Sequence, residues 1–282
     1  MKVKEIMTKK PIVARLPASR EDVVALLVKN KKTGLPVVKD STGEYIGFLN
    51  RQMLFDRPET EQLALLVDRD YPTVSGSDDI KEAARILLDN ELHHLPVVNR
   101  KGMVEGVVTP ADFLPIIAEK GSKNPVEKYV RSPCVPLHLK TPLKVALLTM
   151  RLTKLYAFPV VNDEGILTGI ITDRDIFNRN VIEKSISTAD IGLGDDEDVW
   201  NWEGLKNVMK LYYEISKIDV PNIPVEEIMI RNPKTIFRQS PVSDAAEIMY
   251  ENDYGQLPIR DENNRLMAMI YELDLLASLL ED

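Results

Sequence analysis

The sequence is short of several things, and each shortage excludes a class of function. It has one cysteine, Cys134, so no internal disulfide framework can form. Three histidines, His93, His94 and His138, leave little material for a zinc site, and no CxxC, HExxH or HxxxH occurs; no metal site is expected. Apolar runs such as those at 63–67 and 145–148 fall far short of the roughly 20 residues of a membrane helix. The opening MKVKEIMTKK lacks an apolar stretch of signal-peptide length. The expectation is a soluble, cytoplasmic protein with no membrane contact. Positive charge is in deficit, at a net −8, which argues against duplex nucleic acid. Aromatics are only 6% of the chain, too few for a single-strand stacking platform.

Enzyme signatures are missing too. There is no GxxxxGK[ST] and no GxSxG. Gly192-Leu-Gly194 lacks a third glycine, and the four acidic residues that follow would repel a pyrophosphate. Cys134 and His138 are separated by a turn at Pro136, which does not make a nucleophile–base pair. Cys134 reads instead as a buried strand residue, and the methionines on helical faces as core. No catalytic residue is expected.

What the chain does have is ordinary globular composition, 44% hydrophobic and 28% charged over 282 residues, and a fourfold repeat. The anchor is a proline inside a short apolar strand: GLPVV (Pro36), HLPVV (Pro96), AFPVV (Pro159) and QLPIR (Pro258). Upstream of each lies an i, i+3, i+4, i+7 face, the mark of an amphipathic helix. It reads Ile80, Ala83, Ala84, Leu87 in repeat 2, Leu143, Ala146, Leu147, Met150 in repeat 3, and Val242, Ala245, Ala246, Met249 in repeat 4. Repeat 1 has Arg20, Val23, Val24 and Leu27. Thr141-Pro142 and Ser240-Pro241 predict a cap residue before a proline at the first helical position.

Further upstream, Pro11, Pro72, Pro133 and Pro233 each open a β-prone stretch: IVA, TVS, CVP and KTIF. Downstream, IGFLN, EGVVT, TGIIT and MAMIY complete a hairpin with the anchor strand, and a short helix follows. Each repeat therefore predicts β-α-β-β-α, an α/β (α+β) unit too small to stand alone. The expected boundaries are 1–58, 62–120, 126–182 and 225–282, with repeats 1 and 2 paired and 3 and 4 paired.

The register breaks once. Successive anchors are 60, 63 and then 99 residues apart. The excess falls at 183–224, with Trp200, Trp202 and the acidic run 195–198. Trp202, Leu205, Val208, Met209 and Tyr212 follow at helical spacing. This segment reads as a helical connector packed on the repeats or as a docking surface for a partner.

Four units of this pattern, with G-h-h-T-x-x-D after the second hairpin strand, resemble CBS domains, which pair into Bateman modules that bind adenosine-type ligands. The architecture is similar to that of the gamma subunit of AMP-activated protein kinase, and implies two modules that can close into one pseudo-symmetric disc. The motif is intact as Gly106-Val-Val-Thr109-Pro-Ala-Asp112 and as Gly169-Ile-Ile-Thr172-Asp-Arg-Asp175. The resemblance implies that Asp112 and Asp175 accept from ribose hydroxyls and that Thr109 and Thr172 bind ribose or phosphate. A carboxylate suits a diol because both its oxygens accept, and the helix N-terminus there suits a phosphate. Adenine is then expected against Thr73 and Val74 in repeat 2, and against Cys134 and Val135 in repeat 3. The competing reading is that Thr-x-x-Asp only caps a helix.

By the same resemblance, His93 and His94 would reach a phosphate in the cleft of repeat 1, Lys32 and Thr33 would serve repeat 2, and Gly255 and Gln256 would serve repeat 3, with Arg174 supplying charge there. Repeat 1 has Asn50 and Met53 in place of threonine and aspartate. Repeat 4 keeps Asp274 but has Tyr271, which can fill the cleft, so it is a third and weaker candidate. The expectation is a non-enzymatic regulator. It would bind AMP, ADP or ATP, or alternatively S-adenosylmethionine, and signal to an unidentified protein partner as a monomer or homodimer. The reading from a different class is a ligand-free scaffold docking through 195–215.

Overall fold

A computed structural model describes residues 1–175 and 223–281, except residues 31, 51, 52, 55, 56, 58, 59, 61, 121, 174 and 264. They fall into two compact units, 1–113 and 114 onward. The first contains α1 (Val3–Ile6), β1 (Thr8–Lys9), β2 (Ala14–Leu16), α2 (Arg20–Lys29), β3 (Gly34–Lys39), β4 (Tyr45–Asn50), α3 (Ile80–Asp89), β5 (Leu95–Val98) and β6 (Val104–Val108). Its sheets run β2-β3-β4 and β1-β6-β5.

The second unit contains α4 (Leu114–Lys120), β7 (Leu137–His138), α5 (Leu143–Thr153), β8 (Ala157–Val161), β9 (Leu167–Thr172), β10 (Ile230–Arg231), β11 (Ile236–Phe237), α6 (Val242–Asn252), β12 (Gln256–Arg260), β13 (Leu266–Tyr271) and α7 (Glu272–Leu275). Its sheets run β10-β9-β8-β7 and β11-β12-β13.

The fourfold repeat is visible in the register. Each anchor proline faces one residue of its hairpin partner: Pro36 pairs with Phe48, Pro96 with Val107, Pro159 with Ile170 and Pro258 with Met269. Proline has no N–H for a ladder, so a central strand should exclude it. Here the parallel partner engages only from the next residue, at Val37, Val97, Val160 and Ile259. Each anchor strand also carries a bulge one position later.

The helical faces are buried as the spacing predicts. Ile80, Ala83, Ala84 and Leu87 are buried on α3, and Val242, Ala245, Ala246 and Met249 on α6. Arg20 replaces the first apolar residue of this face in repeat 1 and is itself buried. Its guanidinium donates to the carbonyls of Leu54 at 2.6 Å and Arg57 at 2.7 Å, so two of its buried N–H donors are satisfied by backbone.

The repeats cap each other's helices. A helix start leaves amides without partners. The Ile80 amide donates to the Met1 carbonyl, Leu143 to Ile223 and Val242 to Asn124. The exchange is reciprocal: bridges Lys2–Asp79 and Ser19–Gln62 tie repeats 1 and 2, and Pro125–Pro241 and Pro142–Pro224 tie repeats 3 and 4. This corrects one expectation. Pro142 and Pro241 are the N-cap residues themselves, with extended backbone, and not the first helical residues. The partner repeat supplies the capping carbonyl, so no side-chain cap is needed.

Two first strands also depart from expectation. In repeat 3 the strand is Leu137–His138, and Cys134 lies outside it, half-buried. In repeat 2 the strand shrinks to a bridge at Val74. Both depend on where the parallel ladder begins after the proline, which local β propensity does not encode.

Candidate functional site

The motif glycine has a packing role. At Gly47, a Cβ would sit 2.2 Å from the Asp68 carbonyl; at Gly106, 2.9 Å from that of Thr8; and at Gly169, 3.0 Å from that of Ile230. In each case the neighbour belongs to the paired repeat, whose incoming chain bridges onto the glycine-bearing strand. Repeat 4 has Ala268 instead, and among the described residues no bridge forms from residues 130–132 to β13. The glycine therefore marks close approach of two backbones.

Beyond the glycine, the strand ends at the motif threonine. The Thr109 amide donates to Asp112 Oδ2 at 2.7 Å and its hydroxyl to the same oxygen at 2.9 Å. In repeat 3 the matching distances for Thr172 and Asp175 are 2.8 and 2.6 Å. Each pair is a helix cap. The cap consumes only one carboxylate oxygen, and Oδ1 of Asp112 makes no hydrogen bond among the described residues. In repeat 1, Asn50 Oδ1 accepts the Met53 amide at 2.9 Å, so the cap survives without a carboxylate.

Electrostatics single out repeat 2. Burial pushes the Asp112 carboxyl above its ordinary range, against the pull of the Thr109 bonds and the Lys32 ammonium. Lys32 belongs to repeat 1, sits just before β3 and is exposed. Its field also reaches His94. Lys32 of one repeat thus lies within electrostatic range of the carboxylate of the other, with no ion pair between them. Val74 is buried beside β5 and Thr73 is exposed ahead of it.

His94 is committed elsewhere. Its Nε2 lies 3.0 Å from Thr33 Oγ1, and its ring meets Phe48 with centroids 5.4 Å apart. Burial drives its pKa down to about 3, with His93 and Lys32 adding to the shift. In the ligand-free protein it is therefore an uncharged ring near neutral pH. His93 is exposed beside it, and burial lowers its pKa as well.

The sequence reading missed an aromatic cluster. Tyr71 stacks on Phe48 at 4.4 Å and 20°, and its hydroxyl donates to the His94 carbonyl at 3.0 Å. Tyr71 sits immediately before the repeat 2 proline, and Phe48 occupies the strand position held elsewhere by Val107, Ile170 and Met269. That size difference was the available signal.

In the second unit, Tyr271 reaches across repeats: its hydroxyl donates to the Ala157 carbonyl at 3.2 Å. Its ring packs with Cys134 against Ala157, Ile170 and Met269. Burial raises the Cys134 thiol, which stays protonated at neutral pH. Asp274 is buried, and its Oδ2 accepts the Tyr271 amide at 3.0 Å. Gln256 pairs with Tyr271 in the ladder. Neither Gly255 nor Gln256 hydrogen-bonds Thr172 or Asp175; Val135 is half-buried ahead of β7. Arg174 and the tryptophan segment lie outside the described residues. Among the described residues, no helix is long and apolar enough to cross a membrane.

Comparison with known proteins agrees with this geometry. The profile of the CBS domain matches residues 3–58, 64–119, 126–181 and 225–281. An uncharacterized protein of Methanocaldococcus jannaschii, MJ1225, is 26% identical over 98% of both chains. Its crystal structure, described as that of a candidate archaeal homologue of γ-AMPK, has a TM-score of 0.73 at 24% identity, covering 99% of this chain and 100% of that one. A conserved protein of Pyrococcus horikoshii has a TM-score of 0.69 at 28% identity, with the same coverage. A CBS domain-containing protein of Dictyostelium discoideum is 32% identical over 51% of this chain and 83% of its own. The chain belongs to the CBS domain family, as four consecutive CBS domains paired into two Bateman modules.

Proposed function

We propose that the chain is a regulatory protein without catalytic activity that binds an adenine nucleotide, AMP, ADP or ATP, and passes its ligand state to a protein partner by repacking paired repeats. The observation that carries this reading is the cleft of repeat 2. Asp112 there keeps one carboxylate oxygen outside its helix cap, and Lys32 arrives from repeat 1 within range of its charge. The carboxylate suits a ribose diol and the ammonium a phosphate. Because the two groups come from different repeats, ligand binding would favour one packing of the pair over another, which is the requirement for a switch.

Repeat 3 supports a second ligand reading. Thr172 and Asp175 repeat the ribose arrangement, while Gly255 and Gln256 carry no charge and Cys134 stays a neutral thiol. S-adenosylmethionine, which has no phosphate, fits that chemistry. The test is isothermal titration with AMP, ADP, ATP and S-adenosylmethionine on the wild type and on Asp112→Asn and Asp175→Asn. Binding lost stepwise in the two variants supports two adenosine sites, and no heat from ligand-stripped protein with any of the four refutes the reading.

A further inference from the structure

Repeat 2 ends at different places in sequence and in structure. Its pattern runs to residue 120, yet the two compact units part between Phe113 and Leu114. The last helix of the repeat, α4, therefore counts with the second unit. There it packs along α6 and touches α7 and the 3-10 turn Leu276–Leu279, all elements of repeat 4. Leu114 and Ile117 of α4 are buried. By contrast, α7 stays with its own repeat, on α6 and β13. Repeat 2 thus lends its final helix to repeat 4.

The handover comes directly after the cleft carboxylate. Asp112 lies in a 3-10 turn, Pro110–Phe113, and α4 follows at Leu114 without a break. Two prolines explain the change of helix type. Pro110 opens the turn, where no amide is needed. Pro115 has no N–H to donate to the Ala111 carbonyl, so the α-helical ladder cannot run back through the junction. The turn is held instead by the two Thr109 bonds to Asp112 Oδ2 and by the Asp112 amide, which donates to the Thr109 carbonyl at 3.1 Å. A 3-10 turn rises about 2.0 Å per residue and an α-helix about 1.5 Å, so switching four residues between them would move α4 by about 2 Å along its axis and rotate it. Close-packed neighbours transmit such a shift, so α6 and α7 would have to respond.

We propose that α4 transmits the state of the repeat 2 cleft to repeat 4. Whatever tightens or frees the Thr109–Asp112 turn sets the position of α4, and α4 biases α6 and α7. In turn, α7 begins directly after Tyr271, whose hydroxyl holds the Ala157 carbonyl of repeat 3. Ala157 faces Thr172 in the ladder, so the influence extends to the second ribose motif. A ligand as the input rests on the reading of the repeat 2 cleft given above; the link itself does not.

The test reads amide hydrogen exchange by mass spectrometry in the full-length, ligand-free protein. Thr109→Val removes the hydroxyl bond to Asp112 and frees the turn. The expected result is faster exchange in 104–113 and, by at least about fivefold, in α6, with α2 of repeat 1 unchanged. Two glycines inserted between Phe113 and Leu114 should confine the effect of Thr109→Val to 104–113. A second arm adds AMP to Asp175→Asn protein, where protection of 104–113 should bring protection of α6. Unchanged exchange of α6 in Thr109→Val overturns the proposal. So does an equal rise in α2, which would make the effect global, or a change in α6 that survives the inserted glycines. Protection of 104–113 by AMP without protection of α6 also overturns it. AMP that protects neither segment refutes the ligand reading alone, and Thr109→Val then decides the link.

Discussion

Tyr271 of repeat 4 donates its hydroxyl hydrogen to the carbonyl of Ala157 in repeat 3, across 3.2 Å. Ala157 opens the anchor strand of its repeat, at the position Gly34 holds in repeat 1. In the first unit the approach to that strand carries Lys32 and Thr33; here it carries Leu155 and Tyr156. Where the cleft of repeat 2 has its own Thr109 and Lys32 from repeat 1, repeat 4 offers a phenol already bonded across the pair.

Replacing that phenol should open a site. Tyr271→Thr restores the motif over Asp274, and the expected outcome is one additional ligand equivalent in calorimetry relative to the wild type. Tyr271→Phe keeps the ring and loses one neutral hydrogen bond, which costs about 1 kcal/mol of stability in urea denaturation and adds no site.

The motif glycines should be sensitive through pairing and not through ligand. Gly47→Ala puts a Cβ against the Asp68 carbonyl, and Gly106→Ala puts one against Thr8 and Met7. Each should cost about 1–3 kcal/mol in urea denaturation of ligand-free protein. Ala268→Gly, where no bridge forms, should change little beyond about 0.5 kcal/mol.

Much of this was legible in the sequence. The anchor prolines and the helical spacing fixed the repeats because burial imposes a period, and a period is local. The Phe48–Tyr71 stack, the shared helix caps and the packing role of Gly47 were not legible. Each is a contact between different repeats, and no local pattern encodes which strand a glycine will meet. The first strand of repeat 3 was misplaced onto Cys134 for the same reason: its start is set by the ladder with Val160, not by β propensity.

His94 should make the protein acid-sensitive. Its folded-state pKa is depressed to about 3, whereas an unfolded histidine titrates near 6.5. Between those values the unfolded chain binds the extra proton, so stability is full above about pH 6.5 and declines as the pH falls toward 3. His94→Gln should flatten that part of the stability curve in denaturant melts run from pH 7 to 4, and an unchanged slope would place the sensitivity elsewhere.

Asp112 should trade stability for binding. Its folded-state pKa is raised, so the stability it contributes is present at low pH and is lost as the pH climbs through that value. At pH 7 the ligand-free fold carries a disfavoured carboxylate. Asp112→Asn should therefore match or exceed the wild type in urea at pH 7 while losing ligand. A loss of more than about 1 kcal/mol would mean that helix capping outweighs the burial cost.

The most direct test of the central claim is a comparison of AMP with adenosine in Asp175→Asn protein, with and without Lys32→Ala. The Asp175→Asn background leaves repeat 2 as the intact adenosine cleft. The account predicts that AMP binds more tightly than adenosine when Lys32 is present. Lys32→Ala should remove most of that difference, about 1–2 kcal/mol or roughly five- to thirtyfold, while leaving adenosine affinity nearly unchanged. An AMP preference that persists without Lys32, or no binding of either ligand, would contradict a phosphate-reading cleft shared between repeats 1 and 2.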